Sequence, residues 1–526
     1  MTASPAETAP AQISGPPSAL RARMVPPLPG SQFWGWAGPL LVTLLGAFLR
    51  FNRLAVPRTV IFDETYYVPD ALGILRYGVE HNYDKDRNSL LTHGNTHIFS
   101  AGGEFVVHPP LGKLFIAVGE WTFGVNSFGW RFATAVIGSL AILLIARIAR
   151  RMTRSTMLGC VAGLLMALDG LEFVMSRTAL LDIFLMFWVL AAFGCLVVDR
   201  DVTRATLAEA AATQPGGEYG PRLPRRWWRL GAGVCLGLAL ASKWDAIWYV
   251  IAFAALTIAW DMGARRAAGF RHYFRRTLTR DERWLPVSFV LLPLVIYVAT
   301  WAGWFFTSTG YDRQWAAQDG IHVPVISALA SFVQYQKQIL QFHLGLTLHH
   351  PYQSQPWTWL VMSRPVSFSW VCPAGGSHGT CGAGGTNAQE VLAIGTPLIW
   401  WASIATLIVC LAWWLTKRDW RPGAVLLGVV AGWLPWFWFA LHDHRTEFFF
   451  YALEFEPFLI LSITLCLGLI IGPARASPTR RTIGAAVTGA YLLGVLVNFA
   501  YLYPVLSGQI IPYGSWLARM WYHGWI

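Results

Sequence analysis

Eleven apolar runs constrain this chain more than any other feature. They fall at about 34–51, 129–148, 155–172, 179–198, 227–242, 244–261, 285–304, 394–416, 423–441, 448–471 and 482–503. A helix crossing a hydrocarbon core about 30 Å thick needs about 20 residues, and most of these runs approach that length. Only 13% of the 526 residues are charged, about half the share of an average soluble domain. The pattern predicts an all-α polytopic membrane protein of about eleven transmembrane helices. Its 28 tryptophans suit the membrane–water interface, where indole rings concentrate.

The formal charge of +12 does not point to nucleic acid. Lys and Arg gather in short clusters between the apolar runs, at 147–154, 200–229, 265–283, 417–421 and 475–481. Such clusters mark the cytoplasmic ends of membrane spans. With the amino terminus inside, they all fall on the inner side. An odd number of spans then puts the carboxyl terminus outside. Residues 1–30 are rich in Ala, Pro and Ser and read as a disordered cytoplasmic tail. The run at 34–51 serves as both signal and anchor.

Three further units follow. Residues 31–305 form an amino-terminal transmembrane module that includes a long outer loop at 52–129. Within that loop, Asp70–Gly78 and Leu111–Phe123 have the patterning of amphipathic surface helices. A second outer loop spans 306–393, with a helical stretch at Val323–Leu346 and no obvious strands, and 394–526 forms a four-span module. Five cysteines lie in apolar runs and read as small core residues. Cys372 and Cys381 share a Gly-rich outer loop, where a disulfide is expected. His378 between them leaves zinc as the weaker alternative, since no second cysteine pair follows. There is no GxGxxG and no P-loop lysine motif, so nucleotide binding has no support.

The chemistry-bearing residues cluster on the predicted outer side. Asp63 and Glu64, in VIFDETYYVP, follow the first apolar run. Adjacent acids at a membrane face are costly near lipid and are a functional-site candidate by default; they equally suit a solvated loop or the first turn of a short helix, where the dipole favours them. In HPPLGK, His108 and Lys113 flank a helix start that attracts anions, and Lys113 equally suits snorkelling to headgroups. Arg131 opens the second run and Arg177 the fourth, with Asp182 one turn deeper; Lys243 and Asp245 sit at the turn between the fifth and sixth. Singly these are interface anchors or helix-orienting ion pairs. Together they are what a phosphate requires. Arg445, in HDHRTEFFF, is a further candidate, and the alternating His442 and His444 are weak evidence for a metal.

In order, FDETYYVPDA, HPPLGK, WRFATAVIGS, SRTALLDIFLMF and LASKWDAIWYV resemble the protein O-mannosyltransferase family. The resemblance covers most of residues 40–260 and continues more loosely through WLPWFWFALHDHRTEFFFY. It implies a GT-C fold and a polyprenol-phosphate mannose donor. It implies catalytic roles for Asp63 and Glu64, and donor-phosphate roles for Arg131 and Lys243. His108, Lys113 and Arg177 are expected beside the phosphate, with Asp182, Asp245 and Arg445 as support. The second loop is too short and too poor in strand pattern for the β-trefoil MIR domain of eukaryotic members. The chain therefore resembles a bacterial member acting at the outer face of the cell membrane, and its Ala/Arg/Gly-rich composition suits an actinobacterial one. GGEFVV before His108, and Asp245 after the Lys-Trp pair, depart from the family's pattern.

The implied reaction is mannose transfer to Ser/Thr hydroxyls of secreted polypeptides, with the Sec translocon as a candidate partner in their delivery. Phosphate is already a good leaving group, so a base and phosphate-holding cations suffice. Neighbouring helical residues face different ways. Asp63 is therefore read as the base and Glu64 as orienting the peptide or bracing an arginine. Direct displacement inverts the anomeric centre. No cofactor is certain; a divalent metal stays open, with nothing in the sequence to support one. A relative moving a lipid-linked sugar to a glycan or lipid acceptor is the alternative. A secondary transporter is the alternative from another class, but its internal duplication and broken midplane spans are not evident.

Overall fold

The computed structural model describes residues 19–213, 220–223, 225–372, 387–473 and 475–526. A helix stands at each of the eleven apolar runs. We label the main helices α1 (Gln32–Phe51), α2 (Glu64–Tyr77), α3 (Leu111–Phe123), α4 (Ser127–Thr153), α5 (Thr156–Ala167), α6 (Asp182–Thr213), α7 (Trp227–Leu240) and α8 (Ala246–Ala267). After a bent pair, Tyr273–Trp284 with Val287–Thr300, come α9 (Pro324–Leu344), α10 (Pro397–Lys417), α11 (Trp420–Trp438), α12 (Glu456–Ile471) and α13 (Pro478–Leu506).

Among the described residues, seven helices are long and apolar enough to cross a membrane, and the bent pair, at 42°, makes an eighth. The remaining three runs fold as α5, α7 and α12, of 12, 14 and 16 residues. At 1.5 Å per residue these are shorter than a full crossing, so length alone supports eight. The stretches expected to be helical at 70–78 and 111–123 form α2, which begins six residues earlier, and α3, and the stretch expected at 323–346 is α9.

Two differences from expectation are local. Ala19–Met24, placed in a disordered tail, is helical, and Met24 packs with Leu207, Ala208, Ala264 and Phe270. The second loop, read as strandless, supplies β3 (Val366–Val371) and β4 (Asn387–Ala393). Together with β5 (Ile510–Pro512) they form an antiparallel sheet in the order β3-β4-β5. A smaller antiparallel pair joins β1 (His81–Tyr83) and β2 (Phe99–Gly103). Short strands broken by a bulge carry little period-two signal. Cys372 is disulfide-bonded; its expected partner Cys381 lies outside the described residues.

The start of α4 is set by local chemistry. Asn126 caps it, accepting from the backbone N–H of Phe128 (3.1 Å) and Gly129 (3.0 Å). That puts Arg131 one turn inside, facing the loop after α1. Asp169 links the two halves of the chain. It caps the turn at 170–175 through Leu171 N–H (2.8 Å) and accepts from Thr396 N–H (3.2 Å) and Trp400 Nε1 (2.9 Å).

Candidate active site

The loop from Asn52 to Asp63 ends against a fully buried ion pair. Arg131 Nε donates to Glu64 Oε1 (2.7 Å) and its Nη2 to Oε2 (2.8 Å). The same guanidinium donates to the carbonyls of Leu54, Pro57 and Thr59. Glu64 also accepts from Ile61 N–H and Ala179 N–H, both at 3.0 Å. Arginine's planar fork suits this bidentate, fully donated arrangement. The pair ties α2, α4 and the turn before α6 together, and it fixes the backbone beside Asp63.

Asp63 immediately precedes α2. Its side chain does not cap that helix, and among the described residues it takes no hydrogen bond. The residue before it, Phe62, sits in the left-handed region at φ 46°, strain of the kind that collects at functional sites. Phe62 is held there by stacking on Phe368 of β3 (ring centroids 4.4 Å, 12°) and by edge contact with Phe450 (5.5 Å). Burial pushes the Asp63 carboxyl up from 3.8 to about 7; the Asp182 carboxylate adds to the shift and the Lys243 ammonium opposes it.

Lys243 sits in the turn between α7 and α8 and is nearly inaccessible. Its Nζ donates to Asp182 Oδ1 at 2.9 Å, lies 3.6 Å from Asp245 Oδ2 and stands 4.5 Å above the Tyr451 ring. Burial works against the ammonium, but Asp182 and Asp245 override it and raise its pKa. His108 and His343 lie with ring centroids 5.3 Å apart, and Tyr67 flanks His108 at 6.2 Å. His343 Nε2 meets the Val107 carbonyl at 2.9 Å. Burial, then the charge of Lys243, hold His108 well below its usual pKa, so it is neutral. Arg445 lies over Trp436 (5.5 Å) with Nη2 3.5 Å from His343 Nδ1, and its buried Nε has no partner among the described residues.

The structure thus gathers Asp63, Asp182, Lys243, Asp245, His108 and Arg445, and gives three expected phosphate ligands, Arg131, Arg177 and Lys113, other partners. The N–H groups of Arg131 are taken by Glu64 and three carbonyls. Arg177 donates to the carbonyls of Leu49, Arg50, Asn52 and Arg53, closing the carboxyl end of α1. Lys113 is paired with Glu80 and lies 3.6 Å from Asp70, in a separate buried cluster. Sequence reasoning missed Tyr67, His343, Tyr451 and Glu454. Tyr451 and Glu454 sat unseen inside an apolar run, although a glutamate within such a run is itself a signal. Among the described residues no cluster of His, Cys, Asp or Glu has a metal-binding arrangement.

Residues 40–303 match the family model described as dolichyl-phosphate-mannose-protein mannosyltransferase. Residues 328–525 match the C-terminal four-TMM region of protein-O-mannosyltransferase. A polyprenol-phosphate-mannose–protein mannosyltransferase of Mycobacterium tuberculosis (strain H37Rv) is 41% identical over 510 residues, covering 93% of this chain and 92% of that protein. The chain belongs to the protein O-mannosyltransferase family. Another mannosyltransferase of that name, from Corynebacterium glutamicum, is 32% identical over 98% of this chain and 99% of its own length. The fold agrees with this GT-C family. The S. cerevisiae Pmt1-Pmt2 complex bound to its sugar donor superposes with TM-score 0.70 at 15% identity, covering 97% of this chain and 94% of that one.

Proposed function

We propose that this O-mannosyltransferase moves mannose from polyprenol-phosphate mannose to a Ser or Thr hydroxyl of a secreted polypeptide, with Asp63 as general base. The observation that carries this reading is Asp63 itself. It is a carboxylate with no hydrogen-bond partner among the described residues, raised to a pKa of about 7, beside the Lys243–Asp182 pair. A base poised near neutral pH combines the deprotonated form with enough basicity to take a hydroxyl proton.

The acceptor hydroxyl gives its proton to Asp63 as its oxygen attacks the anomeric carbon. The bond from that carbon to the phosphate oxygen breaks, and polyprenyl phosphate leaves with the electron pair. One displacement inverts the centre, turning a β-linked donor into an α-mannoside. The departing phosphate meets Lys243, which has N–H groups beyond the one given to Asp182, and Arg445, whose Nε is uncommitted. Asp182 and Asp245 hold the lysine in place. Glu64 and Arg131 position the base from behind.

The site lies at the end of the helices opposite the arginine clusters. The positive-inside rule then puts it outside the bacterial plasma membrane, where a secreted chain emerges. The test is purified protein with polyprenol-phosphate mannose and a Ser/Thr-rich peptide, the product being weighed. Asp63→Asn is expected to lower transfer by about 10²- to 10⁴-fold with donor binding retained. Near-normal transfer by that variant would remove Asp63 from the role.

A further inference from the structure

A cleft of about 1070 Å³ opens at the other end of the molecule, between α6, α8, α10 and α11. Arg23, Arg154, Arg200, Arg204, Arg418 and Arg421 line it. Arg200 lies 18 residues along α6 from Asp182, about 27 Å at the helical rise, so the cleft is remote from the catalytic end. Among the described residues, the only carboxylate in its wall is Asp419, which pairs with Arg421. Asp201, just behind, is shared by Arg151, Arg154 and Arg200. Arg200 also feels the charges of Arg204 and Arg154, and Arg204 that of Arg23. The guanidiniums therefore outnumber their acids in a confined space.

Two of these arginines sit where the backbone disfavours them. Arg154 ends α4 at φ 55° and Arg418 ends α10 at φ 51°, left-handed positions that favour glycine. Their side chains instead face the cleft, and Arg418 lies over the face of Trp414, 5.4 Å away. Above the arginines the wall changes character. Leu411, Leu427 and Val430 continue it along α10 and α11, and Leu411 and Val430 are exposed on the sides of their helices. Trp260, Trp414 and Trp420 stand between the two zones, at the depth indole prefers. Cations at the helix ends, tryptophans above them and apolar helix flanks beyond match an amphiphile with an anionic head.

We propose that this cleft binds an anionic phospholipid of the leaflet at the arginine-rich end. The arginines hold its phosphate, and its acyl chains lie along α10 and α11. Basic pockets between spans recognise such headgroups, and paired guanidiniums suit a phosphate's oxygens. The site is separate from mannosyl transfer and does not depend on the role given to Asp63.

The test uses the full-length protein in neutral detergent. Phosphatidylglycerol, phosphatidylcholine or inorganic phosphate is added, and bound lipid is read by native mass spectrometry alongside thermal shift. Phosphatidylglycerol is expected to remain bound and to raise the melting temperature; phosphatidylcholine and phosphate at equal concentration are not. Arg418→Gly relieves the left-handed backbone, so the protein folds. Combined with Arg204→Gln, it should weaken phosphatidylglycerol binding at least about 10-fold, with mannosyl transfer in detergent unchanged. Equal retention of phosphatidylcholine, equal protection by phosphate alone, or unchanged affinity in the double variant would overturn the proposal.

Discussion

At the scale of single residues, Asp63 and Glu64 are neighbours with opposite environments. Glu64 is saturated with donors, and Asp63 has none. Because the Asp63 carboxyl is raised to about 7, kcat/KM should climb with pH through about 7 and level off above it. Asp63→Asn should erase that limb. The sign for stability is opposite. A carboxyl raised on folding binds its proton more tightly in the folded state, so its contribution is present at low pH and lost as pH rises through about 7. Asp63→Asn should therefore raise the melting temperature at pH 8 and leave it unchanged at pH 4. A melting temperature that did not depend on pH in this way would mean the carboxyl is not raised. Glu64 has a different test. Glu64→Gln strands a buried guanidinium and should cost about 3–5 kcal/mol, and Arg131→Lys should fail to restore stability because the fork is lost. If Arg131 instead served the donor, Arg131→Ala would raise the donor KM without lowering the melting temperature. The acids and Lys243 were legible as charges at the ends of apolar runs. The partner of each was not. Glu64 and Arg131 are 67 positions apart, and only packing decides that Arg131 meets Glu64 and not a phosphate.

At the scale of elements, the site depends on how closely α3 and α4 approach. A Cβ on Gly119 would meet the Gly129 carbonyl oxygen at 2.2 Å, and one on Gly129 would meet the Gly124 carbonyl oxygen at 2.1 Å. These contacts are with backbone, which has no rotamer to yield. They let α4 begin directly behind the loop that Arg131 clamps. Gly129→Ala should cost about 1–3 kcal/mol through overpacking and should lower transfer by displacing Arg131 and, through Glu64, Asp63. Gly489→Ala in α13 has nothing within 4 Å of its added methyl and should be neutral or slightly stabilising. Similar melting temperatures for both variants would contradict the close-packing argument. The apolar runs announced the helices because a 20-residue hydrophobic stretch has few other solutions in a membrane. They did not announce the contact between Phe62 and Phe368. That joins the loop after α1 to a strand that follows α9, and β3 itself was hidden by its brevity.

At the scale of the whole molecule, charge is sorted along the helices. α6 begins with Asp182 in the proposed site and carries Arg200 and Arg204 toward its other end; α8 follows Lys243 and Asp245 and ends with Arg265 and Arg266. At that second end, arginines pair repeatedly with acids. Arg226 bonds Asp199 and Asp261, Arg229 bonds Asp261 and Glu282, and Arg265 bonds Asp281. Paired or not, Lys and Arg near span ends set orientation, since acids contribute little to that rule. The whole chain should therefore insert with the arginine end in the cytoplasm. A cysteine placed at Ala101, exposed in β2, should react with a membrane-impermeant maleimide in intact cells. One placed at Arg475, exposed between α12 and α13, should react only after permeabilisation. The reverse pattern would turn Asp63 toward the cytoplasm, away from any secreted acceptor, and would end the proposed reaction even if every distance in the site were right.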